Sequence, residues 1–85
     1  MRIHSIDFKS VKLVVECADR GTLVAAALQC HCTVSAASRR LIILEGLLGC
    51  RLFERSGKGL KITNKGLTVV ALCRDILCSL NKIVT

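Results

Sequence analysis

The sequence contains no proline, no run that reads as a flexible or stiff linker, and no internal repeat. With 85 residues, those absences leave room for one domain at most. No apolar run approaches the roughly 20 residues needed to cross a bilayer, so no membrane partner is expected. The opening Met1-Arg-Ile-His-Ser leads into mixed polar sequence that does not resemble a signal peptide, so no secretory leader is expected. The expected setting is reducing and cytoplasmic, with the six cysteines, Cys17, Cys30, Cys32, Cys50, Cys73 and Cys78, as free thiols. Cys30-His31-Cys32 has the look of a metal cluster, but no Cys-x-x-Cys pair accompanies it and the other cysteines fall at helical spacings. Most of them read as small apolar core residues, and neither a metal centre nor a cofactor is expected. His4 and His31 are the only histidines, and neither sits in a nucleophile arrangement. His31, in a turn, is expected to pack or cap. No Gly-rich phosphate cradle is present, so an enzyme is not expected.

Acidic residues are also scarce. Six Asp and Glu face 13 Lys and Arg, for a net charge of +7. The excess is concentrated. Arg39, Arg40, Arg51, Arg55, Lys58, Lys61 and Lys65 are opposed in their own stretch only by Glu45 and Glu54, a local +5 in under a third of the chain. A basic block of this kind suits a polyanion; a solvated charged face is the alternative. Apolar residues make up 52% of the chain. A chain of this length buries only about 60–65% of its unfolded surface, so some of that apolar area is expected to meet a partner.

The pattern of what is present predicts four helices and a hairpin. Ser5 can cap a first helix with Asp7 in its first turn. Phe8, Val11, Val14, Val15 and Ala18 recur on one face of it, and Gly21 ends it. Thr22 caps a short helix over Leu23–Gln29, whose Ala25-Ala26-Ala27 run allows close approach of a neighbour. After the turn at 30–32, Thr33 caps a third helix that ends at Gly49. The spacing is that of a helix-turn-helix. Leu52–Arg55 and Leu60–Ile62 are strand candidates around the turn residues Ser56-Gly57-Lys58-Gly59. Thr63 or Asn64 caps a last helix. Val70, Cys73, Leu77, Leu80 and Val84 fall on a heptad seam along it, beside a second stripe of Val69, Leu72, Ile76 and Ile83. One stripe can cover the chain's own core and the other can meet a second chain, with the seam expected as the dimer interface; a single broad buried face is the alternative.

Three stretches carry a resemblance to a known family: Gly21-Thr-Leu-Val-Ala-Ala-Ala27, Thr33 through Glu45, and Leu48-Gly49-Cys-Arg-Leu-Phe-Glu-Arg55 with Gly59-Leu-Lys-Ile-Thr63 and Gly66. In this order they resemble the N-terminal DNA-binding domain of the LysR-type transcriptional regulators, over about residues 5 to 85. The resemblance implies a mainly α fold: a winged helix-turn-helix of three helices and a two-stranded β wing over 1–62, then a long linker or dimerisation helix over 63–85. It implies a dimeric, sequence-specific binder of double-stranded DNA that regulates transcription in bacteria, associated with the nucleoid. Family members normally continue into a larger effector-binding domain; no small-molecule effector site is expected within these residues.

Duplex binding needs phosphate anchors, and helix N-termini supply them. The candidates are Thr22 and Thr33, with Arg39 or Arg40 and Lys58; Arg55 joins them on the wing. Base reading falls to Val34, Ser35, Ser38 and Arg39. Val34 and Ser35 depart from the glutamine and proline common in the family, and valine offers a base only apolar contact, for example to a thymine methyl. Arg39 is the best remaining base reader; contact with phosphate alone is its alternative. Ile42-Ile43 is a second departure, with at least one isoleucine expected on the surface and Leu44 turned inward. Gly46, inside the same helix, costs about 1 kcal/mol relative to alanine. A rival reading makes the chain a truncated regulator that forms heterodimers with a full-length relative. A third makes it an eroded remnant without function.

Overall fold

The computed structural model describes residues 6–84. Among them the order is α1 (Phe8–Arg20), α2 (Leu23–Gln29), α3 (Val34–Leu48), β1 (Phe53–Ser56), β2 (Gly59–Ile62) and α4 (Asn64–Val84). This is the mainly α winged helix-turn-helix that the sequence implied. Strand β2 ends at Ile62 and α4 begins at Asn64.

Helix α1 is capped by Asp7, whose carboxylate accepts from the Ser10 amide at 2.9 Å. Asp7 therefore lies outside the first turn in which the sequence reading placed it. The Ser5 cap, like His4, lies outside the described residues. The buried face of α1 is Ser10, Val11, Leu13, Val14, Val15 and Cys17. Phe8 is 55% exposed, contrary to the expected face. The face is wide because α1 packs against α2, α3 and α4 together. Gly21 closes the helix at φ +78.

Thr22 and Thr33 cap α2 and α3, accepting from the Ala25 and Ala36 amides at 3.1 Å. Ala26 and Ala27 are fully buried, so α2 can approach its neighbours at backbone distance. Between these helices His31 adopts φ +56, a left-handed conformation that costs a non-glycine residue about 1–2 kcal/mol. His31 is exposed; it neither packs inward nor caps a helix through its ring, so the expectation for its side chain does not hold.

The hairpin pairs Phe53 with Ile62 and Ser56 with Gly59, leaving Gly57-Lys58 as a two-residue loop. Strand β1 sits one residue closer to the turn than its candidate, and β2 begins one residue earlier at Gly59 and ends at Ile62 as expected. Leu60 donates its amide to the Gly21 carbonyl at 2.8 Å, which ties the wing to the α1–α2 corner. Phe53, Leu52, Leu13 and Leu41 form the centre of the core, each 0–1% exposed. Burying side chains of this size contributes about 1.5–3 kcal/mol apiece.

Thr63 caps the fourth helix: its Oγ1 accepts from the Gly66 amide at 2.9 Å and donates to the Arg51 carbonyl at 2.8 Å. A Cβ on Gly66 would overlap the Leu52 carbonyl. Helix α4 lies on α1 and buries Val70 and Cys73 to 5% and 7% exposure, with Leu77 half-buried. That corrects the seam expected at a dimer interface. Its first two positions belong to the protomer's own core because α1 needs a cover, and only Leu80 and Val84 of the seam are exposed. Leu72, Ile76 and Ile83 of the second stripe are exposed, and Val69 is half-buried.

Candidate nucleic-acid interface

The front of α3 is a surface. Thr33, Val34, Ser35, Ala36 and Arg39 are exposed, and Ala37 is the one fully buried residue between 33 and 40. Thr33 and Ser35 lie hydroxyl to hydroxyl at 3.4 Å. Ser38 is half-buried and accepts a 2.8 Å bond from Nη1 of Arg55. Two expected contact residues are therefore joined, one on α3 and one on the wing. The other terminal nitrogen of Arg55, Nη2, is buried without a hydrogen-bond partner. Arg55 also lines a shallow concavity of about 360 Å3 with Thr22, Lys58 and the rest of the wing tip. The start of α2, the wing and α3 thus meet around one guanidinium.

Arg40 is placed differently from Arg39. Its guanidinium holds Asp7 at 3.0 and 3.2 Å. That carboxyl is held below the usual carboxylate range, first by the hydrogen bonds from Ser10 and then by Arg40. Of the two arginines offered as phosphate anchors, Arg39 is exposed and Arg40 is engaged within the chain. Ile42 and Ile43 are both exposed and Leu44 is buried.

Glu45 carries more of the site than its charge suggested. It is 6% exposed, and its Oε2 accepts from the Leu52 amide at 2.7 Å and the Phe53 amide at 3.3 Å, with Arg51 Nε at 3.8 Å. This carboxylate fixes where β1 leaves α3, and so where Arg55 meets Ser38. The signal available in the sequence was its place between Leu44 and the Leu52-Phe53 pair, the one acidic residue in an apolar run. On the far side, Arg74 of α4 pairs with Asp19 of α1; that pairing had no sequence signal beyond opposite charge.

A helix-turn-helix whose second helix projects a basic edge, followed by a basic hairpin, defines the winged helix-turn-helix class. The chain matches the description "bacterial regulatory helix-turn-helix protein, lysR family" over residues 8–67. It belongs to that family. It is 35% identical over 77 residues to the HTH-type transcriptional regulator MetR of Buchnera aphidicola, covering 91% of this chain and 25% of that protein. Its fold is similar to that in the crystal structure of the CbnR DBD–DNA complex, with a TM-score of 0.85 and 30% identity over 91% of this chain and 88% of that one. A full-length OxyR from Pseudomonas aeruginosa is similar at TM-score 0.85 and 27% identity, over 92% of this chain and 26% of that one. The chain spans about a quarter of the length of the MetR regulators it matches. No helix among the described residues is long and apolar enough to cross a membrane.

Proposed function

We propose that these residues form the DNA-binding part of a LysR-type transcription regulator, which acts by binding and not by catalysis. The helix 33–49 lies in the major groove of duplex DNA and the wing 52–62 lies on the backbone or minor groove. The observation that carries this is the joint at Arg55, which sets an exposed recognition edge and a basic wing in one fixed relation. Thr22, Thr33 and Lys58 anchor phosphates, and Arg39 reads a base edge. Val34 and Ser35 make the sequence preference weaker than the general affinity. Two copies associate through the exposed face of α4, where Leu72, Ile76, Leu80 and Ile83 remain uncovered in one protomer.

Gel shifts over a salt series test this reading. Binding falls steeply as salt rises, because each neutralised phosphate releases counterions. Arg39→Ala relaxes sequence preference, whereas Lys58→Ala weakens all sequences about equally. No shift on any duplex at low salt sinks the reading. The same uncovered stripe on α4 also suits pairing with a full-length relative. Mixing the two and finding only homodimers removes that second reading.

A further inference from the structure

The α2–α3 turn holds two thiols that the DNA-binding reading does not use. Cys30 and Cys32 are two residues apart, so their Cα atoms lie no more than about 7 Å from each other. Both line a single cavity of about 290 Å3 between α1 and the turn, together with His31. Phe8 and Leu13 give the cavity an apolar wall, and Lys9, Lys12 and Arg40 stand around it as cations. Cys32 is exposed and Cys30 half-buried, so the pair can be reached from solvent. Their backbone is fixed: the Cys30 amide donates to the Ala26 and Ala27 carbonyls, and the Cys32 amide donates to the Ala27 carbonyl at 3.1 Å. Cys17 and Cys73 are buried in the core, and Cys50 and Cys78 line no part of this cavity.

We infer that Cys30 and Cys32 form a two-thiolate site for a soft monovalent d10 cation of the Cu(I) class. Among the described residues no three His, Cys, Asp or Glu side chains are grouped to hold a metal ion, so a tetrahedral zinc centre lacks its donors. A soft monovalent ion needs fewer, because thiolate selects it by bond character. Metal–thiolate bonds near the zinc–sulfur length of about 2.3 Å would put two sulfurs roughly 4.6 Å apart across a linear centre, a span that two side chains within one turn can reach. On binding, two S–H bonds break, two metal–sulfur bonds form, and both protons leave to solvent. The resulting centre carries one negative charge, which Lys9 and Lys12 offset, Arg40 being paired with Asp7. This amends the expectation of no metal, which rested on the missing four-ligand pattern. The site does not depend on DNA binding.

The test uses the reduced full chain with Cu(I) supplied from a chelator buffer, then brief alkylation and peptide mass spectrometry. One equivalent of Cu(I) is expected to protect Cys30 and Cys32 together and to leave the alkylation of Cys50 and Cys78 unchanged. In Cys32→Ser, an exposed substitution checked for native helix content by circular dichroism, Cu(I) no longer protects Cys30. Unchanged alkylation of Cys30 and Cys32 overturns the inference. So does protection of only one of them, protection of Cys50 or Cys78 in their place, or retained protection of Cys30 in Cys32→Ser.

Discussion

The two halves of α3 are held by different means. The rear half is locked from several sides. Leu41 and Leu44 are buried, Glu45 holds two amides of the next segment, and Gly49 closes the helix in a left-handed turn at φ +72. The front half has Ala37 inside and two side-chain ties, Arg40 to Asp7 and Arg55 to Ser38. The difference teaches where each kind of substitution will show. A change in the rear half alters stability, because it leaves a buried group without its partner or its space. A change in the front half alters what the surface binds and leaves the fold nearly as it was.

The largest expected effect lies where the rear frame meets α4. Gly66→Ala places a methyl group against the Leu52 carbonyl, which the Thr63 hydroxyl and the Thr63 amide already engage. The backbone must move, and the expected destabilisation is about 3 kcal/mol, read as a lower urea midpoint at unchanged slope. An unaltered midpoint shows that the junction gives way freely and that the frame is less determined than its bonds suggest. Next comes Glu45→Gln. It removes a buried carboxylate that two amides share, and a cost of about 2 kcal/mol is expected from the lost charge-assisted bonds. Because β1 starts at those amides, DNA affinity should fall with stability here, unlike in any front-half variant.

This division also separates what the sequence made legible from what it did not. Caps and periodicity are local, so Thr22, Thr33, Gly21 and Gly49 marked the helices where the structure has them. The Leu-Gly-x-x-Leu-Phe-Glu-Arg string located the wing to within a residue. Pairings across the chain were not legible. Arg40 and Arg39 are neighbours of identical chemistry, and only the approach of Asp7, 33 positions away, separates their roles. The α4 seam misled for a related reason. Heptad spacing reports that a stripe is apolar; it does not say whether α1 or a second chain covers it. For Glu45 the sequence offered a signal, one acid in an apolar run, but not its partners, because the Leu52 and Phe53 amides reach it only once the chain has turned back.

A glycine in the rear half sharpens the comparison with the opposite sign. Gly46 lies in the interior of α3 with nothing within 4 Å of an added Cβ, and its φ is not positive. Gly46→Ala should therefore stabilise by about 1 kcal/mol, the helix-propensity difference alone. In a chain of this size that corresponds to a rise of roughly 4–8 °C in the thermal midpoint. The same substitution at positions 46 and 66 then moves stability in opposite directions, a contrast that propensity alone does not produce.

The smallest effect belongs to the tie on the front half. Asp7→Asn keeps an N-cap of equal quality for α1 and removes only the charge that faces Arg40. The pair is exposed, so the loss should stay within about 0.2–1 kcal/mol and shrink as salt is added. Its pH signature has a definite sign. The Asp7 carboxyl is held below its ordinary value in the folded chain, chiefly by Ser10 and then by Arg40. It therefore contributes stability above the unfolded carboxylate pKa of about 3.9, and that contribution disappears as pH falls through the lower folded value. The wild-type chain should lose slightly more stability than Asp7→Asn between about pH 4 and the onset of acid unfolding. Releasing Arg40 has a second consequence on the same surface. A guanidinium freed from its carboxylate is available to phosphate, so Asp7→Asn should bind duplex DNA more tightly at low salt with a steeper salt dependence. Equal salt slopes for the two proteins would show that Arg40 stands outside the DNA footprint, leaving Arg39 as the arginine of that turn which meets DNA.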